Sequence, residues 1–427
     1  MNLIKFDYEK FIIKNKISIL LLVFIFSYLL RFIAFFIFSK QIYLPDSNNY
    51  IVEAVRLLAN DVDNKIDLFS VTMPAYSLLM CIPTIIEIFL SPNINFDNLN
   101  SIMSVNHYDN IYIFSIKDKA FLIDNIFSSL IPIIIFYLTL KIYQNHVVSI
   151  FSALLTSIYP VSIFYSISIL TENFHIFFVL LGILLFFNEK YIYSYLIFVL
   201  SILIRPTFEL LYPCIIFIHF FIFFRHKLFS NIIIYFFIYV IFMTPWWIFN
   251  YNKYDTFVRL HPNIGFMLYS GNNELNKTGG GIINKDFKID NLQFRRLHEP
   301  IILDRELKDK AIKYIVNNKY IFVKNTIIKF KRLYSFKLFT NKYSGSLLGY
   351  IYTTSYLALF TLFIFSFIFI PKKSYKYLYI FVLFGLYLTL VHSLTISSVR
   401  YRYPIEIFMI IFSSYTFTMF FKKIFYK

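Results

Sequence analysis

Over most of this chain apolar residues neither alternate nor recur at helical spacing; they run on in long stretches. The stretches 228–249 and 350–370 contain no charged residue, and each meets the roughly 20 apolar residues that a helix needs to cross a bilayer. Taken with their polar flanks, such runs predict ten spans, near 17–38, 121–140, 147–166, 173–187, 191–204, 207–224, 228–249, 350–370, 377–396 and 403–421. A further run, 73–90, holds Pro74, Pro83 and Glu87. A simple crossing there reverses the side of every later connection, so an interfacial or re-entrant segment is expected, with eleven spans as the alternative. The predicted class is an all-α polytopic membrane protein with about 10–11 transmembrane helices.

The basic connections orient these spans. Lys5, Lys10, Lys14 and Lys16, then residues 141–146, Lys190, 225–227, 372–376 and 422–427, fall on one side if the ten alternate. The positive-inside rule makes that side cytoplasmic. Two larger regions, 39–120 and 250–349, are then extracytoplasmic. The second carries turn chemistry at Ser270-Gly271-Asn272-Asn273 and Gly279-Gly280-Gly281. From 304 to 334, Leu307, Ala311, Ile315 and Ile321 interleave with charges, which predicts a helix lying on the membrane or capping a cavity. The organisation expected is a transmembrane catalytic module over 1–249, an extracytoplasmic region over 250–349 and terminal transmembrane helices over 350–427.

Composition narrows the function classes. With 58% apolar and 15% charged residues, against about 25% charged in soluble domains, the chain lacks the polar surface to be soluble. Its net charge of +17 does not point to nucleic acid, because no soluble unit presents a basic groove; Lys and Arg at span ends fix orientation and meet anionic headgroups. The start resembles a signal peptide but has no small-residue cleavage site, so an uncleaved first span is expected. Cys81 and Cys214 lie in apolar stretches, where thiols pack rather than react.

Ionisable residues at membrane depth are functional candidates. Asp46 follows Pro45 at a helix start and reads equally as a cap or a catalyst. Glu172 stands between two apolar runs. Arg205-Pro206 breaks a long apolar run, as in the broken helices that surround substrate sites; the plainer reading is a tight turn with a snorkelling arginine. Arg400 and Arg402 suit phosphate oxygens, through bidentate contacts, and also suit lipid headgroups. His392 reads as a buried hydrogen-bonding residue.

In order along the chain stand Pro45-Asp46-Ser47-Asn48-Asn49-Tyr50, Tyr159-Pro160 leading to Leu170-Thr171-Glu172, Ile204-Arg205-Pro206-Thr207, Thr244-Pro245-Trp246-Trp247-Ile248-Phe249-Asn250-Tyr251, Asn263-Ile264-Gly265 with Leu268 to Asn273, and Arg400-Tyr401-Arg402-Tyr403-Pro404. In these landmarks the chain resembles GT-C membrane glycosyltransferases, in the bacterial branch of protein O-mannosyltransferases and lipid A aminoarabinose transferases. The resemblance implies transfer of a sugar from a polyprenyl-phosphate donor to a lipid, glycan or protein acceptor, with inversion, at the outer face of a bacterial inner membrane. It implies Asp46 and Glu172 as catalytic, Arg205, Arg400 and Arg402 on the donor phosphate, and Tyr50, Trp246, Trp247 and Asn250 along the lipid or substrate cavity. Many relatives carry two acids in the first loop; here Ser47 and Asn48 follow Asp46. No cofactor is assigned and metal independence is expected, with Mg²⁺ or Mn²⁺ open to a single carboxylate working with the donor phosphate and water. The rival reading is a transporter or flippase of lipid-linked saccharides, which predicts two related halves that the sequence does not display.

Overall fold

Inside a bilayer the backbone must satisfy its own hydrogen bonds, and a chain rich in Phe, Ile and Leu does so as helix. The computed structural model describes residues 8–39, 45–59, 72–91, 111–222, 228–281, 300–339 and 345–425, and every regular element among them is helical. The order is α1 (Tyr8–Lys14), α2 (Lys16–Phe38), α3 (Pro45–Leu58), α4 (Pro74–Leu90), α5 (Ile111–Tyr143), α6 (His146–Ile158), α7 (Pro160–Ile167), α8 (Thr171–Phe187), α9 (Tyr191–Ile204), α10 (Leu211–Ile222) and α11 (Leu228–Tyr254). There follow α12 (Ile264–Gly271), α13 (Pro300–Asn317), α14 (Lys319–Leu333), α15 (Leu347–Phe369), α16 (Tyr375–Leu394) and α17 (Tyr403–Phe425). The middle of the first outer region and the 225–227 connection lie outside the described residues.

All ten predicted runs are helical, but they are not ten equivalent spans. Among the described residues six helices are long and apolar enough to cross a membrane, or seven if α6 and α7, bent by 48° at Tyr159-Pro160, form one span. The other three runs form shorter helices: α8 with 17 residues, α9 with 14, and the segment Pro206–Phe220. At 1.5 Å per residue, α9 reaches only about 21 Å, short of the roughly 30 Å hydrocarbon core.

The segment expected to be interfacial is the helix α4, 17 residues long. Near its start Tyr76 lies beside Asp124, while near its end Glu87 meets Lys119 at 2.5 Å and Ser115 at 2.6 Å. These contacts pair α4 antiparallel with residues 115–124 of α5. The predicted helix from 304 to 334 is two helices broken at Asn318. The break resets the helical phase, so Leu307 and Ala311 are buried on α13 whereas Ile321 on α14 is exposed.

The bundle has two chemically distinct ends. At one, Lys373 donates to Gln144 Oε1 at 3.2 Å, Ser374 donates to the Ile142 carbonyl at 3.0 Å, and Glu9 lies 3.6 Å from His146. Three of the basic connections, near residues 9, 141–146 and 372–376, thus meet there. The other end collects the starts of α3, α8 and α17 and the end of α9. Between them, Arg31 of α2 is fully buried, donating to the Ser157 carbonyl at 3.3 Å and to Ser162 Oγ at 3.0 Å. Hydroxyls and carbonyls meet the Nη groups of this buried cation, its Nε being left without a partner among the described residues, and it draws α2 against α6 and α7.

Candidate active site

Each charged residue at the second end is delivered by a local feature of the chain. Asp46 occupies the first turn of α3, behind Pro45, where a carboxylate is favoured by the helix dipole. Glu172 occupies the first turn of α8 for the same reason. Just ahead of it Ile169 adopts φ 48°, a left-handed conformation that a β-branched residue takes only at a cost of order 1–3 kcal/mol. The two turns are linked, since Ser47 Oγ donates to the Ser168 carbonyl at 2.5 Å. Arg205 is the extended C-cap of α9, φ −140° and ψ 116°, the geometry imposed on a residue that precedes proline. Arg400 sits in the 3₁₀ turn Val399–Arg402.

These four side chains converge. Arg400 Nη1 lies 2.6 Å from Asp46 Oδ2, and its Nε donates to Glu172 Oε1. Arg205 Nη1 reaches the same Glu172 oxygen at 2.9 Å. Glu172 is 1% exposed and Asp46 49% exposed, so one acid is sealed between two guanidinium groups and the other faces outward. The two acids and two arginines balance in formal charge. Tyr50, four residues beyond Asp46, packs edge-on against Tyr76 at 5.0 Å, and burial pushes its phenol up, keeping it a neutral donor.

Arg402 does not join this cluster. Its Nε donates to Glu406 at 2.6 Å, Nη1 to the Leu333 and Ser335 carbonyls at 3.0 and 2.8 Å, and Nη2 to the Tyr352 hydroxyl at 2.5 Å. Its guanidinium also rests 3.4 Å from the Tyr356 ring centre. With these contacts made and no exposed surface, it fastens α14 and α15 to α17 and is not placed to meet a donor phosphate. Trp246, Trp247 and Asn250 likewise bind backbone. The indoles donate to the Leu260 and Arg259 carbonyls at 2.5 and 2.8 Å, and the amide to Leu260 at 3.2 Å. They fold the segment after α11 back onto its helix.

The segment 270–281 and α14 position Arg400 from behind. Asn272 Nδ2 donates to the Leu394 carbonyl at 2.9 Å, Arg332 Nε to Ser397 O at 3.1 Å, and the Ser397 amide to Gly279 O at 3.1 Å. Gly271 lies so close to this turn that a Cβ would stand 1.9 Å from Thr395 O. Lys329, fully buried, donates to Asn272 Oδ1 at 2.8 Å and to Leu394 O at 3.3 Å. Burial pulls its ammonium down to about 8.

The sequence reading missed His175 and Lys329. A signal for the first was present: Glu172 and His175 are three apart on one helix, hence on one face. Nothing local distinguishes Lys329 from the solvated lysines around it. Among the described residues no three of His, Cys, Asp and Glu converge to hold a metal ion. No protein-family model matches the chain, and a search of curated proteins finds no match.

Proposed function

We propose that this protein is a membrane glycosyltransferase of the GT-C kind, moving a sugar from a polyprenyl-phosphate donor to a lipid, glycan or protein acceptor at the extracytoplasmic face of a bacterial inner membrane. The observation that carries this reading is the junction at Arg400, where an outward-facing carboxylate and a buried one share a guanidinium 2.6 Å from Asp46. Transfer from a lipid phosphate needs a group that orients and deprotonates the acceptor hydroxyl beside positive charge that stabilises the leaving phosphate. Asp46 supplies the first. Arg400 and Arg205 supply the second, and Glu172 holds both arginines in register, a positioning role rather than that of a base. A single displacement inverts the anomeric centre. The six apolar helices keep donor and enzyme in one membrane.

Asp46→Asn tests the reading. Asparagine starts a helix about as well as aspartate, so a cap alone predicts normal turnover. Loss of a base predicts a drop of roughly 10²- to 10⁴-fold, measured with purified protein and synthetic polyprenyl-phosphate sugars, with an unchanged melting temperature. Turnover equal to wild type removes Asp46 from the mechanism.

A further inference from the structure

Behind the two arginines, Glu172, His175, Arg205, His392, Arg400 and Tyr401 wall a narrow cleft with room for about one water. Its histidines are fixed by backbone. His175 Nδ1 lies 3.1 Å from the Ser201 carbonyl and His392 Nδ1 3.3 Å from the Ile396 carbonyl. A carbonyl only accepts, so in each neutral ring Nδ1 carries the proton and Nε2 is left as an acceptor. Neighbouring rings hold both in place: His175 stands edge-on to Phe208 at 4.3 Å, and His392 stacks flat on Tyr401 at 4.2 Å.

Two atoms on residues of this wall are unmatched. His175 Nε2 and Glu172 Oε2 are buried without a hydrogen-bond partner among the described residues. A buried acceptor left unpaired costs about 1–3 kcal/mol, so the cleft is built for a group that donates. Phosphate oxygens would meet these lone pairs with lone pairs of their own. A cation gains little where two acids and two arginines already balance. A whole sugar ring exceeds the space, whereas one O–H group fits it, giving its proton to an acceptor and taking a bond from a guanidinium.

The geometry points to a hydroxyl-reading subsite, in which one hydroxyl of a bound lipid-linked sugar donates its single proton to His175 Nε2, with Glu172 Oε2 the other acceptor on a residue of the wall. The inference rests on the glycosyl-transfer reading and gives it a specificity determinant: the arginines take the phosphate and the cleft takes one hydroxyl position.

Binding and turnover are measured separately, on the full chain in nanodiscs, with polyprenyl-phosphate glucose, mannose and galactose, then with each monodeoxy analogue of the tightest binder. One analogue should bind about 10- to 100-fold more weakly than its parent, the fold equivalent of one buried hydrogen bond, and the others about equally. In His175→Leu that gap should close to within about threefold. Equal affinity for the parent and all its monodeoxy forms would mean that the cleft holds only water and would overturn the subsite, leaving sugar transfer standing if turnover persists. Discrimination in binding without turnover keeps the subsite and sinks the transfer reading. No binding of any of the three sugars overturns both. Should His175→Leu fail to fold, the comparison of ligands on the wild-type protein decides alone.

Discussion

Arg400 and Arg402 stand two residues apart in one 3₁₀ turn, yet they do opposite work. Arg400 bridges an outward-facing acid and a buried one and keeps a quarter of its side chain exposed. Arg402 meets Glu406, a tyrosine hydroxyl, two carbonyls and an aromatic face, with no exposed surface. With three residues per turn, positions i and i+2 of a 3₁₀ helix point about 120° apart. The pair is therefore split by backbone geometry into one arginine that meets the two acids, the one the proposed transfer would use, and one that ties helices together. An exposed cation beside carboxylates is adjustable; a sealed and saturated one is not.

The largest effect expected from breaking this contrast is on folding. Arg402→Ala leaves Glu406, itself fully buried, without its cation, a loss of roughly 3–5 kcal/mol. It should appear as poor yield and a lowered melting temperature in detergent. Replacing both partners with methionine should recover most of that loss, because a buried pair is often exchanged for apolar residues at little net cost. A stable, normally yielding Arg402→Ala protein would contradict the architectural role.

Arg400→Lys sharpens the contrast from the other side. A lysine is a point charge and cannot fork to both Asp46 and Glu172, so turnover should fall by roughly 10²- to 10³-fold while the melting temperature moves little. If stability fell with activity, Arg400 would belong with Arg402.

The smallest expected effect is a pH dependence carried by Lys329, which braces the turn shared by both arginines. Its folded value, about 8, lies below the ordinary 10.5. A group depressed on folding contributes stability that is full above the unfolded value and lost as pH falls through the folded one. Between about pH 8 and 9.5 the wild-type melting temperature should therefore rise relative to Lys329→Met, which lacks the titrating group. Parallel curves would show that Lys329 does not titrate there.

Much of this was legible from the order of residues. Apolar runs became helices because lipid leaves the backbone no other solution, and Asp46, Glu172, Arg205 and Arg400 stood out because charge is rare at that depth. Two things were hidden. Arginines two residues apart look alike in a sequence, and only the folded chain shows which partners each one meets. Trp246, Trp247 and Asn250 resembled cavity wall, but their N–H groups are used by carbonyls of residues 258–260, a fold-back that no spacing announces. The length of a run also overstated its reach: residues 191–224 are apolar almost throughout, yet the break at Arg205-Pro206 yields two short helices.

Those short helices also bear on depth. α9, about 21 Å long at 1.5 Å per residue, is nearly 10 Å shorter than the hydrocarbon core of an ordinary bilayer. If its first turn stands at one surface, its last turn and Arg205 stand that far below the other, surrounded by protein rather than lipid, since Ser201, Ile202 and Ile204 are buried. On the glycosyl-transfer reading, a donor phosphate would have to be drawn down along protein to meet the guanidinium groups, its tail staying in hydrocarbon. On that reading, lengthening α9 would lift Arg205 and slow capture of the donor.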